Sequence, residues 1–108
     1  MSKILGKWKI TEMEEWDLGF INEQGEGYFE FESNNQGSFM FGYVEGDIDF
    51  RESGSEENPK IEYSWSGHDE VDDASGRGWF TLVNENELYG MIYFHEGDES
   101  WIKAKRIK

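Results

Sequence analysis

The amino-acid sequence predicts an all-β protein, one domain folded as a single eight-stranded up-and-down antiparallel barrel. Three observations carry this reading. Turn signals recur about every dozen residues, the spacing of short strands linked in hairpins. Between the turns, apolar and polar residues alternate, so each strand has one buried and one wetted face. The composition opposes helix: 13 Gly stand against four Leu and two Ala in 108 residues, while eight Phe, five Trp and five Tyr supply a small core.

The opening residues, Met1 to Gly6, are too short and polar for a signal peptide, and nothing further on approaches a membrane span, so a cytoplasmic location is expected. The first strand runs from Lys7 to Met13. The loop after it carries Trp16, Leu18, Phe20 and Ile21, an apolar set suited to burial at a barrel mouth as a plug or lid. Tyr28 to Glu32 forms the second strand, with Phe29 and Phe31 opposing Glu30 and Glu32. Asn34 to Gly37 turns the chain into a third, Ser38 to Val44, with Phe39, Phe41 and Tyr43 on one side and Met40 and Val44 on the other. Gly46 is expected to turn it again, into Asp47 to Arg51. The polar run Ser53 to Pro59 reads as the most flexible connection.

In the fifth strand, Lys60 to Ser66, the residues Ile61, Tyr63 and Trp65 share a face. The sixth, Gly78 to Val83, sets Trp79 and Val83 against Phe80 and Leu82. The seventh, Leu88 to His95, sets Leu88, Ile92 and Phe94 against Tyr89, Met91 and Tyr93. Trp101 to Ile107 completes the series, with Ile102 and Ala104 opposing Lys103 and Lys105. Strands apolar on both faces imply a second buried surface. Either Trp79, Tyr89, Met91, Tyr93 and Trp101 meet a partner, with a homodimer favoured, or these side chains lie under a loop.

Charge narrows the partners. Ten Lys and Arg against 24 Asp and Glu give a net charge of −14, a field that repels phosphate backbones and anionic lipid. Direct nucleic-acid binding and membrane-surface binding are therefore not expected. Ordered carboxylates such as Glu30, Glu32, Asp47 and Asp49 offer the opposite role, imitating nucleic acid to block a basic surface. Seven of the ten positive charges lie on or beside the first and last strands, so closure predicts a basic seam of Lys7, Lys9, Lys103 and Lys105.

Gly6-Lys7-Trp8 at the start of the first strand resembles the G-x-W motif of the calycin barrels: lipocalins, fatty-acid-binding proteins and avidins. The resemblance implies a calycin-like barrel in which a basic side chain near the end of the last strand covers the Trp at the closed end. Arg106 has the parity for that role. The stretches 6–13, 65–72, 74–79 and 95–98 resemble a family of small acidic bacterial proteins, which implies a bacterial, cytoplasmic setting and carries no mechanism.

Chemistry is sparse. With no cysteine, disulfides and thiolate metal sites are excluded. The run His68 to Asp73 is the densest set of ligand atoms, and Asp69, Glu70, Asp72 and Asp73 are candidate ligands for a hard cation, although the spacing is not that of an EF-hand. Zinc is disfavoured, since His68 and His95 fall on different loops. Arg77, between Gly76 and Gly78, either addresses a ligand anion or clamps Asp72 or Asp73 within its own loop. Ser66, Ser75, His68 and Asp69 hold the residue types of a catalytic triad without its context. No dinucleotide loop or P-loop is complete, so no cofactor is expected. The chain reads as a non-enzymatic binding protein acting through protein interaction. The alternative is a small-molecule carrier with its ligand at the barrel mouth, for which Trp16, Phe20, Tyr63, Trp65, His68 and Arg77 are the candidates.

Overall fold

Period-two alternation works out as one continuous wall. The structure, a computed structural model, describes residues 3–107. Its strands are β1 (Gly6–Met13), β2 (Tyr28–Phe31), β3 (Gln36–Phe41), β4 (Val44–Glu52), β5 (Lys60–Asp69), β6 (Asp72–Asn84), β7 (Glu87–Phe94) and β8 (Glu99–Arg106), with a short helix α1 (Leu18–Ile21) between β1 and β2. Each strand pairs antiparallel with the next, and β8 returns to β1, closing the barrel in meander order. Closure pairs every strand on both sides, although the first residues of β6, 72–75, run past the end of β7.

The interior is filled with rings. Trp8, Phe29, Phe31, Phe39, Phe41, Phe50 and Phe80 are all fully buried. Contacts run across the lumen as well as around it: Phe29 on β2 meets Phe80 on β6 edge-to-face at 4.9 Å, and Phe31 lies 5.3 Å from Phe50 and 5.9 Å from Phe80. Such edge-to-face pairs add roughly 0.5–1.5 kcal/mol each beyond their area. Tyr63 and Trp65 of β5 stand in register with Gly78 and Gly76 of β6. With no Cβ beneath them, both rings cross β6 and donate to backbone carbonyls of β7, Tyr63 Oη to Met91 at 2.9 Å and Trp65 Nε1 to Tyr93 at 3.3 Å.

Burial raises the Tyr63 hydroxyl well above its ordinary value of 10.0, and the neighbouring Tyr93 adds to the shift. The neutral form is therefore favoured in the fold. Its stabilising contribution is complete below the unfolded value and is lost as pH rises through the folded one. The expected result is a melting temperature that falls above about pH 10 and falls less in Tyr63→Phe. An equal alkaline slope in both proteins, measured by circular dichroism, would assign the effect to other groups.

One barrel end is latched as the calycin resemblance implies. Trp8 is opposite Arg106 in register, and the guanidinium lies 4.1 Å from the centre of the indole. Trp8 Nε1 donates to the Ile4 carbonyl, while Arg106 donates to the carbonyls of Leu5, Lys3 and Glu85. Gly6 has φ +120°, and a Cβ there would stand 3.2 Å from the guanidinium. The other end is plugged by the apolar loop. Asp17 caps α1 by accepting from Phe20 N, Ile21 is fully buried, and Trp16 packs on Phe41 and Phe94 at 5.0 and 5.9 Å.

Several expected boundaries move. The third turn falls at Gly42-Tyr43, where Gly42 has φ +58°, and not at Gly46. Gly46 lies inside β4, facing inward, where a Cβ would stand 2.5 Å from the Phe39 ring. In consequence Tyr43 sits in the turn, 39% exposed, while Val44 is buried; the expected faces of both are corrected. β5 and β6 are longer than expected and take in most of the 68–73 run, which is a tight hairpin turning at Glu70 and Val71 with His68 opposite Asp73 and Asp69 opposite Asp72. The connection 53–59 is folded back by Ser53 N to the Lys60 carbonyl and by Asn58 N to Ser55 Oγ. The basic seam forms in part. Lys9 is opposite Lys105, but an irregularity between Ile10 and Glu12 brings Glu12 opposite Lys103, where the two pair at 3.8 Å.

Candidate functional site

The outside of the barrel has two unlike walls. On β2, β4 and β5 the outward positions are largely acidic or small: Glu30, Asp47, Asp49, Glu62, Ser64 and Ser66. Asp49 is engaged there, accepting from Gln36 Nε2 at 3.3 Å and pairing with Arg51 at 2.8 Å. On β6, β7 and β8 the outward positions include four aromatic residues and a methionine. The register aligns them in rows: Arg77–Tyr93–Glu99, then Trp79–Met91–Trp101, then Thr81–Tyr89–Lys103.

All five residues expected at an interface, Trp79, Tyr89, Met91, Tyr93 and Trp101, share this wall, and all are half-buried. Tyr89 links the two indoles, 6.0 Å from Trp79 and 6.4 Å from Trp101. The apolar loop after β1 packs over the barrel end, against Phe41 and Phe94, so it does not account for the apolar character of this wall. Cations border the rings: Lys60 Nζ is 5.2 Å from the centre of Trp79, Lys103 Nζ is 5.3 Å from Trp101, and the Arg77 guanidinium is 4.5 Å from Tyr93. A ring faced by a cation gains roughly 0.5–1 kcal/mol at an exposed site, and the long stems shield apolar surface from water.

The residues expected to gather around a small ligand are dispersed. Tyr63 and Trp65 belong to the interior and hold β7 backbone. Trp16 and Phe20 stack over the plugged end, their centroids 6.3 Å apart. His68 lies on the exposed hairpin, where Nδ1 donates to the Glu70 carbonyl at 3.1 Å and Nε2 stands 4.0 Å from Glu45. Arg77 is neither a clamp on Asp72 or Asp73 nor a loop residue. It sits mid-strand on the outer wall, because β6 begins at Asp72 and parity turns its side chain outward onto Tyr93.

Among the described residues no group of three His, Asp or Glu stands together to hold a metal, so Asp69, Glu70, Asp72 and Asp73 do not form a ligand set. A surface groove of about 560 Å3 runs beside Arg77 and includes Ser64, Ser75, His95, Glu96 and Glu99.

Sequence reasoning placed the rings but missed what surrounds them. Glu99 and Thr81 were legible by parity with Trp101 and Trp79, whereas the cations over the rings depend on cross-strand register. Ser100 was missed too. It is fully buried on β8, accepts from Glu14 N at 3.0 Å and donates to the Trp101 carbonyl at 2.8 Å, pinning the end of β1 to β8. Compared with known protein families, curated proteins and solved structures, the chain matches none. No helix among the described residues is long and apolar enough to cross a membrane.

Proposed function

We propose that this chain is a non-enzymatic binding protein of the bacterial cytoplasm that works through the outside of its barrel, with the β6–β8 wall as the docking surface and a second copy of the chain as its occupant. One contrast supports this. The lumen is spanned ring to ring, Phe29 against Phe80 at 4.9 Å, whereas five large side chains on the outer wall remain partly open to water. Apolar rings that fill a lumen have spent their burial energy, and half-covered rings on a wall gain more when a partner excludes water. A carrier would need the Trp16 plug lifted and rings such as Phe39 and Trp65 displaced, at the cost of the contacts described above.

Sedimentation equilibrium tests the reading. The wild type is expected at twice the 12.7 kDa chain mass. Met91→Lys is expected at the single mass, with an unchanged circular dichroism spectrum because the side chain points out of the core. A monomeric wild type at about millimolar concentration, weaker than any specific dimer of standard size, overturns the proposal. So does a dimer that Met91→Lys leaves intact, or saturable uptake of a fluorescent fatty acid that shields the interior tryptophans.

A further inference from the structure

Resting on that docking wall, the charges around it point to one arrangement: we infer that two copies pack about a two-fold axis lying along the outside of β7, so that Arg77 of each copy meets Glu99 of the other. An axis in the plane between two facing walls, parallel to β7, exchanges the strands on its two sides. Whatever stands on β6 of one copy then faces whatever stands on β8 of the other at the same height.

The register supplies the consequences row by row. In the first row, Arg77 on β6 and Glu99 on β8 flank Tyr93, so both cross-copy pairs join opposite charges. In the second row, Trp79 faces Trp101 and Met91 meets its own copy. In the third, Thr81 faces Lys103 and Tyr89 meets its own copy. No row brings like charges together. On-axis aromatic and methionine side chains with charges of opposite sign to either side make a self-complementary surface.

Ion pairing inside the chain selects this axis over its rival. An axis running across the strands through Met91 would set Glu99 against Lys103 and Arg77 against Thr81. Lys103, however, is already paired with Glu12 at 3.8 Å. Among the described residues neither Arg77 nor Glu99 takes part in an ion pair. Arg77 is held over Tyr93 at 4.5 Å, with its planar fork free for a carboxylate. The axis along β7 gives each of the two unpaired groups a partner.

The test uses two single variants, Arg77→Glu and Glu99→Arg. Both positions are exposed, so each variant is expected to keep the circular dichroism spectrum of the wild type. Each alone would face its own copy with like charges twice over, and dimerisation is expected to weaken on the order of tenfold. Mixed one to one, the variants restore both pairs. The introduced carboxylate of one chain meets the introduced guanidinium of the other, and the native Arg77 meets the native Glu99. Native mass spectrometry with one chain isotopically labelled is expected to show heterodimer well above the statistical half, with an affinity near that of the wild type. Heterodimer at no more than the statistical half overturns this axis while leaving the docking wall in place. A monomeric wild type removes both proposals, and open-ended oligomers replace the two-fold with head-to-tail packing of the aromatic wall on the acidic one.

Discussion

Phe80→Ala is expected to cost about 3–5 kcal/mol, a large share of the roughly 5–15 kcal/mol that keeps a domain folded. Phe80 is fully buried and touches three rings, Phe29 at 4.9 Å, Tyr63 at 5.8 Å and Phe31 at 5.9 Å. Its nearest inward neighbour on β6 toward Trp65 is Gly78, which has no side chain to move into the gap. Tyr63 is tied to the Met91 carbonyl and is held from collapsing. The void therefore stays open and apolar, and such voids take up small apolar molecules. Chemical denaturation measures the loss, and xenon or benzene should stabilise the variant but not the wild type. A loss below about 1 kcal/mol, less than a large-to-small change costs in a close-packed core, would mean that the lumen has slack.

Gly78→Ala attacks the same place by crowding. A Cβ at Gly78 would overlap both the Tyr63 ring and the Met91 carbonyl oxygen. A ring tip can swing, but a carbonyl fixed in a barrel wall cannot. The expected loss is about 3 kcal/mol or more, at the upper end for overpacking. Tyr63→Phe should fail to rescue it, because the carbonyl clash remains. Gly97→Ala is the control: its nearest contact would be the Phe94 Cβ at 3.2 Å in an open turn, and a change within about 0.5 kcal/mol is expected there. Equal melting temperatures for Gly78→Ala and wild type would remove the account of β5 rings crossing over β6.

Strand faces were legible because parity is local. Phe29 and Phe31, Ile48 and Phe50, or Ile61, Tyr63 and Trp65 declare an inward face without reference to any other strand. The sixth and seventh strands declared two apolar faces, and the same parity separates Phe80 and Leu82 inside from Trp79 outside. Glycines were harder to read. Gly46 and Gly76 look like turn residues in a single sequence and Gly78 like the start of a strand, yet each lies within a strand, where a ring needs the room. The signal was present in Gly76 and Gly78, two residues apart and therefore on one face, but its meaning depends on Tyr63 and Trp65 standing opposite. Arg77 was misread for the same reason: between two glycines it looks like a loop residue, and only the β5–β6 register turns it into a wall residue. Segment charge foretold a basic seam, while the shift at Ile10 and Glu12 that puts an acid opposite Lys103 follows from backbone irregularity that composition does not carry.

Seven of the eight seams in this barrel join strands that follow one another along the chain, and all of those but β1–β2, whose connection carries α1, are closed by a short connection. The β1–β8 seam alone joins the ends of the chain, with Trp8 meeting Arg106. A loop that takes in nearly the whole chain gives its seam little help from closure, so the order of assembly follows from the topology. The hairpins zip first into a curling open sheet, and the seam between β1 and β8 is the last to form and the natural place for the barrel to breathe. Beyond the backbone ladder, side chains hold that seam along its length: the Arg106 guanidinium at one end, the Thr11 hydroxyl and the Lys103–Glu12 pair midway, and the Ser100 hydroxyl at the other end. The latch that covers Trp8 therefore acts on how long the barrel stays shut more than on how fast it is built.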